Sequence, residues 1–195
     1  ILAGSKFVEM KPKDNGYLID AAKSLPIMLV NGYLEGENIY STLCDDRTAT
    51  YEASSSLIRS GVQNLLYLYS SQSYSGFNKL QGYKDALCAA GLPVREEYIC
   101  QCPKDVASAQ ALCHKLYNEG LVFDGILTSD DSLAAGAVKF AHQEQISIPD
   151  SLSVIGYNNS ILAQCSYPEL TSIDSKVEAC LLYTSDAADD RISVD

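Results

Sequence analysis

The sequence predicts an α/β fold built from parallel sheets with helices packed on both faces. Three observations predict it. Short apolar segments of strand length alternate with amphipathic segments of helical period along most of the 195 residues. Several strand segments are apolar without interruption, which marks a strand covered on two sides. Helix stops fall on glycine, as at Gly61 and Gly91.

In chain order, Pro26-Ile27-Met28-Leu29-Val30 is a strand-length apolar run and Asn38 to Leu43 reads as a second strand. Asp45 offers a helix cap, and a helix follows from Thr48 to Ser60. Asn64 to Tyr69 is a strand, followed by a Ser/Gln/Gly loop. From Asn78 to Ala90 the positions Leu80, Tyr83, Ala86, Leu87 and Ala90 recur at helical spacing. The cycle repeats with strand 97–102 and helix 106–119, strand 125–128 and helix 132–143, and a last strand 153–156. Such alternation implies right-handed crossovers and parallel pairing.

Parallel sheets bind ligands beyond the carboxyl ends of their strands. Four loops at those ends are polar: Cys44-Asp45-Asp46, Ser70-Ser71-Gln72-Ser73, Ser129-Asp130-Asp131 and Tyr157-Asn158-Asn159. A small polar ligand is therefore expected there.

Composition narrows the function further. The formal net charge is −11, from 25 acidic and 14 basic residues, so these residues are poor candidates for gripping a phosphate backbone. No apolar run reaches the length of a membrane span, and Ile1 to Ser5 shows no export signal, so a cytoplasmic protein whose gene starts upstream is expected. Seven cysteines (Cys44, Cys88, Cys100, Cys102, Cys113, Cys165 and Cys180) are an odd number without framework spacing, which argues for a reducing compartment. Cys100-Gln101-Cys102 and Cys113-His114 lack paired zinc-ligand spacing, so neither a metal nor another cofactor is expected.

Six segments in order also resemble one family. They are Pro26 to Asn31, Asp45 leading to Ser56 through Gly61, Gly82 through Leu87 with Gly91-Leu92-Pro93, Asp131 through Gly136, Ile148 through Asn159, and Pro168 through Ile173. In these the chain resembles the LacI/GalR, or lac-repressor-type, transcriptional regulators over residues 1–179. The resemblance implies a type I periplasmic-binding-protein-like fold with two doubly wound lobes and the effector between them. It implies a partial N-terminal lobe at 1–60, a C-terminal lobe at 61–173 and the start of a return crossover at 174–179. The DNA-binding headpiece is expected upstream of Ile1. Cys180 to Asp190 has no counterpart in the family and resembles a translated sequencing adapter, so 180–195 is expected to be non-native.

Sugar sites combine carboxylates, amides and cations with an aromatic platform. By the resemblance Lys79 stands where the family has a cleft arginine, keeping the charge and losing the planar fork. Asp130 stands where Asn is usual, and Asn158 where an Asp holds ligand hydroxyls. A sugar phosphate is admitted by Lys79 but disfavoured by Asp130, unless those two pair. Asp45 and Thr48 are further candidates, Asp45 also as a cap, and Tyr74 or Phe77 could stack on a sugar face from a mobile loop. Asp131 is expected to cap the helix that follows it. His114 and His142 read as surface residues away from the site.

The expected function is effector sensing in a DNA-binding regulator. Lobe closure would be coupled to operator affinity, in a homodimer, with a protein co-regulator as a further partner. The alternative is a transport-linked periplasmic sugar-binding protein. Catalysis is not expected, because Asp130 and Asp131 are adjacent and diverge, and no nucleophile–base set is present.

Overall fold

The computed structural model describes residues 1–3 and 15–176. The expected tail from Cys180 lies outside the described residues. The chain divides into two compact units.

The first unit comprises the described residues of 1–45, 72–77 and Lys176. It holds a three-stranded parallel sheet in the order β1-β2-β3, from β1 (Leu2–Ala3), β2 (Ile27–Val30) and β3 (Ile39–Thr42). Helix α1 (Gly16–Ala22), which no periodic pattern announces, buries Leu18 and Ala22 against Ile27 and Leu29 of β2. Asn38 turns the chain into β3 in the left-handed region (φ 57°), and its side-chain amide donates to the Ala22 carbonyl.

The second unit comprises Asp46–Ser71 and Asn78–Ser175. Its five-stranded parallel sheet runs β5-β4-β6-β7-β8. The strands are β4 (Leu65–Tyr69), β5 (Ile99–Gln101), β6 (Gly125–Thr128), β7 (Ser153–Tyr157) and β8 (Thr171–Ile173). The register pairs Leu66 with Ile126 and Ile126 with Val154. Alternate residues point to opposite faces, so the apolar runs feed two cores. Leu66, Leu68, Ile126 and Val154 pack with α4 (Val106–Asn118), α5 (Asp131–Gln143) and α6 (Ile161–Cys165). Leu65, Tyr67, Leu127 and Ile155 pack with α2 (Asp46–Arg59) and α3 (Tyr74–Ala89).

Two boundaries differ from the sequence reading. Helix α2, expected with residues 1–60, belongs to the second unit, whose β6 and β8 it contacts, so the division falls at Asp45/Asp46. Its neighbour α3 comes so close that a Cβ on Gly82 would stand 2.2 Å from the Arg47 carbonyl oxygen. Helix α3 starts at Tyr74 rather than Asn78, because Ser73 caps it: Gly76 N–H donates to Ser73 Oγ at 3.2 Å. Tyr74 and Phe77 are thus on a helix, not in a loop.

The strand order has one reversal that matters. From β4 the chain goes outward to β5, then crosses back to β6 on the other side of β4. The loops after β4 and β6 therefore leave in opposite directions and open a crevice at the carboxyl ends.

Candidate functional site

The crevice of the second unit is lined by charged side chains that are almost fully buried. Lys79, the second residue of the part of α3 that belongs to this unit, is 7% exposed. Its ammonium donates to the Ser129 carbonyl at 3.3 Å and lies 3.5 Å from the centroid of the Tyr157 ring. A desolvated lysine needs such partners, and the negative face of the ring supplies one. The Tyr157 hydroxyl in turn donates to Asp46 Oδ1, the first residue of α2. Asp46 is 2% exposed and Tyr157 1%. A carboxylate at a helix N-terminus also gains from the helix dipole. Cation, ring, hydroxyl and carboxylate thus tie α3, β7 and α2 together.

Asp130 follows β6 and caps α5, accepting from Ser132 N–H at 3.0 Å and Ser132 Oγ at 2.7 Å. Its other oxygen accepts from Asn158 Nδ2 at 2.9 Å and from Lys104 Nζ at 2.6 Å. Capping therefore falls to Asp130 rather than to Asp131. Asp131 opens the helix, is 1% exposed, and accepts from Ser160 N–H and Ser172 Oγ, each at 2.6 Å. The two adjacent carboxylates face different partners and form no dyad. Gly156 is required beside them, since a Cβ there would sit 2.2 Å from Asp131 Oδ1.

Lys79, Asp130 and Asn158, singled out from sequence, thus meet in one place. Thr48 is exposed on the first turn of α2, two residues beyond Asp46. Asp45, Tyr74 and Phe77 belong to the first unit. There Tyr74 packs on Tyr33 with centroids 5.6 Å apart, Asp45 is exposed, and Phe77 is 47% exposed. Sequence reasoning missed Asp46, Tyr157 and Lys104. Asp46 lies in the polar segment Cys44-Asp45-Asp46, where its neighbour Asp45 was named instead.

The histidines differ from their surface reading in one case. His142 is exposed, but His114 is half-buried, 3.0 Å from Glu144 and edge-on to Phe140. Burial pushes the Cys102 thiol up to about 11 and the Cys113 thiol up to about 12, so both are uncharged and poor nucleophiles at neutral pH. Among the described residues no group of three or more His, Cys, Asp or Glu side chains is arranged to hold a metal ion. No helix among them is long and apolar enough to cross a membrane.

Away from the crevice, an open groove of about 550 Å³ runs along α4, α5 and α6. It is lined by Val106, Ala135, Val138, Leu162, Cys165 and Tyr167 among others.

The chain as a whole is similar to known proteins. The profile of the periplasmic binding protein-like domain matches residues 55–190, a span that reaches past Cys180. An HTH-type transcriptional regulator of Lachnoclostridium phytofermentans is 48% identical over 184 residues, covering 94% of this chain and 55% of that protein. The Escherichia coli regulator AscG is 32% identical over 157 residues, covering 80% of this chain and 46% of that protein. Among solved structures, a sugar-binding transcriptional regulator of the LacI family from Escherichia coli, complexed with phosphate, matches with a TM-score of 0.77 at 29% identity. That match covers 88% of this chain and 62% of that one. The chain spans about half the length of the curated relatives it matches.

Proposed function

Because this chain belongs to the periplasmic-binding-protein-like domain family, in the form used by LacI/GalR-type regulators, we propose that it is the effector-sensing part of a DNA-binding transcriptional regulator. The observation that carries this reading is the convergence of Lys79, Asp130 and Asn158 at the switch point of the second unit's sheet. The similar proteins are transcriptional regulators, which supports binding rather than catalysis. The effector is a sugar or sugar derivative. Asp45, Thr48, Tyr74 and Phe77 remain in the proposed ligand-binding set beside the three converging residues. DNA contact belongs to a headpiece outside this chain, in line with the net charge of −11. The residues work in the cytoplasm, where the free thiols at Cys44, Cys88, Cys100, Cys102, Cys113 and Cys165 stay reduced. The proposed lobes follow the sequence boundary only loosely, with α2 moved to the C-terminal lobe.

The regulator acts as a homodimer, and the groove along α4, α5 and α6 is the proposed self-association face. Tyr167, 84% exposed at its edge, is the residue to test. Tyr167→Asp is expected to shift the protein from dimer to monomer in light scattering; an unchanged mass rejects that face.

A thermal-shift screen of neutral sugars and sugar phosphates on the complete protein tests the sensing reading. The expected result is stabilisation by at least one ligand, together with a change in operator affinity on addition of that ligand. No shift with any of them rejects small-molecule sensing and favours control by a protein co-regulator. A transport role is the less favoured reading, since the relatives above are regulators.

A further inference from the structure

Resting on that sensing reading, we propose that Asp130 acts on the ligand through Asn158 rather than by touching it, so that this corner of the site recognises a hydroxyl donor on an uncharged ligand.

Asp130 is 8% exposed, and its carboxylate already accepts from four donors: Ser132 N–H, Ser132 Oγ, Asn158 Nδ2 and Lys104 Nζ. Four is about the number of lone-pair sites a carboxylate offers, so a ligand hydroxyl would have to displace one of them. An ionised carboxylate only accepts, so Asn158 must turn its NH₂ toward Asp130. The opposite end of the same amide, Oδ1, is then the group available to a ligand. Asn158 is exposed, and turning its amide over about the side chain would set Oδ1 against the Asp130 carboxylate, acceptor against acceptor. Its N–H donates to the Ile173 carbonyl at 2.8 Å, its φ is 97°, and Asn159 N–H donates to Ser172 Oγ at 2.9 Å.

A fixed amide oxygen takes an O–H. A phosphate or carboxylate oxygen arriving there would set acceptor against acceptor, with the Asp130 charge behind it. Charge points the same way. Asp46, Asp130 and Asp131 stand against Lys79 and Lys104, so the named cluster carries more negative than positive groups. Lys104, half-exposed on the loop after β5, offsets the Asp130 charge from the solvent side and is a second positioning residue.

The test uses the complete protein, with glucose, galactose and cellobiose as neutral probes and glucose 6-phosphate as the anionic one. Asp130→Ser keeps a capping hydroxyl for α5 and removes the oxygen that orients Asn158. Calorimetric titration of the tightest neutral probe is expected to show about a tenfold loss in Asn158→Ala, as for one neutral hydrogen bond. A similar loss is expected in Asp130→Ser, with no further loss when both changes are combined. Losses that multiply in the double variant would mean that Asp130 touches the ligand itself, and would overturn the proposal while leaving sensing intact. So would tightest binding of glucose 6-phosphate that Asn158→Ala leaves unchanged. If no probe binds a cooperatively folded protein, the sensing reading falls and this inference with it.

A ligand-free arm tests the pairing alone. Asn158→Asp sets two carboxylates against each other and is expected to lower the melting temperature, and adding Asp130→Asn is expected to restore it. Additive losses in that cycle would overturn the pairing.

Discussion

Tyr157→Phe removes one oxygen from the core of the second unit and leaves the ring in place. The ring keeps its burial and its contact with Lys79, whose ammonium is 3.5 Å from the centroid, because a phenyl face attracts a cation much as a phenol face does. What is lost is the hydroxyl's bond to Asp46, whose residue is only 2% exposed. Hydrogen bonds to charged groups contribute about 1.5–3 kcal/mol, and a stranded buried carboxylate lies toward the upper end. The N-terminus of α2 offsets about 0.3–1 kcal/mol of that. The expected destabilisation is therefore about 2 kcal/mol, or roughly 4–8 °C in melting temperature for a domain of this size. Urea unfolding followed by circular dichroism measures it, and the m-value should be unchanged. Asp46→Asn retains an acceptor and should cost about half as much on the same hydrogen-bond scale. A Tyr157→Phe loss below about 0.5 kcal/mol, the level of an ordinary surface substitution, would refute the buried hydroxyl–carboxylate link.

Gly156→Ala should cost about 3 kcal/mol or more, because the new methyl would meet Asp131 Oδ1 at 2.2 Å and Asp131 is pinned by Ser160 and Ser172. A neutral result in urea unfolding would show that the carboxylate can move aside. Gly82→Ala should be worse, since the atoms in the way are the Arg47 carbonyl oxygen at 2.2 Å and the Tyr51 nitrogen at 2.9 Å, both backbone; soluble expression and melting temperature report it. Cys88 and Cys165 are exposed and should react at once with a thiol reagent at neutral pH, whereas Cys102 and Cys113 should react only after unfolding. Burial raises the folded pKa of Cys102 to about 11 and of Cys113 to about 12 from 9.0, so the folded state holds protons that the unfolded chain has lost. Stability is then intact below pH 9 and falls as pH rises toward 11–12, a slope that Cys113→Ala should make shallower.

The central strands were legible because burial on both faces leaves an uninterrupted apolar run, as in Leu65 to Tyr69. Lys79, Asp130 and Asn158 were singled out by their places in the family resemblance, and Asp130 and Asn158 also lie in polar loops at the carboxyl ends. Asp46 was hidden beside Asp45: two identical residues at a helix start carry no periodic signal to say which turns inward. Tyr157 reads as an ordinary core aromatic at a strand end, and only the fold brings its hydroxyl to a residue 111 positions away. Lys104 reads as one more solvated loop lysine, and the suggested partner of Asp130 was Lys79. Among the named bonds, the cation on the Asp130 carboxylate is Lys104. The start of α3 was obscured by Ser71, Ser73, Ser75 and Gly76, whose composition suits a loop as well as a cap. Helices α1 and α6 and strand β8 are too short to show a period.

Three successive backbone amides after β7 are all engaged. Asn158 donates to Ile173, Asn159 to Ser172 Oγ, and Ser160 to Asp131. A segment without regular secondary structure should then exchange its amide hydrogens on the slow timescale of the sheet. It is an extension of β7 and β8 rather than a lid. The corner that would meet a ligand is set before the ligand arrives, so little ordering entropy is lost there on binding. Whatever moves when such a domain responds has to be sought in segments whose amides exchange fast.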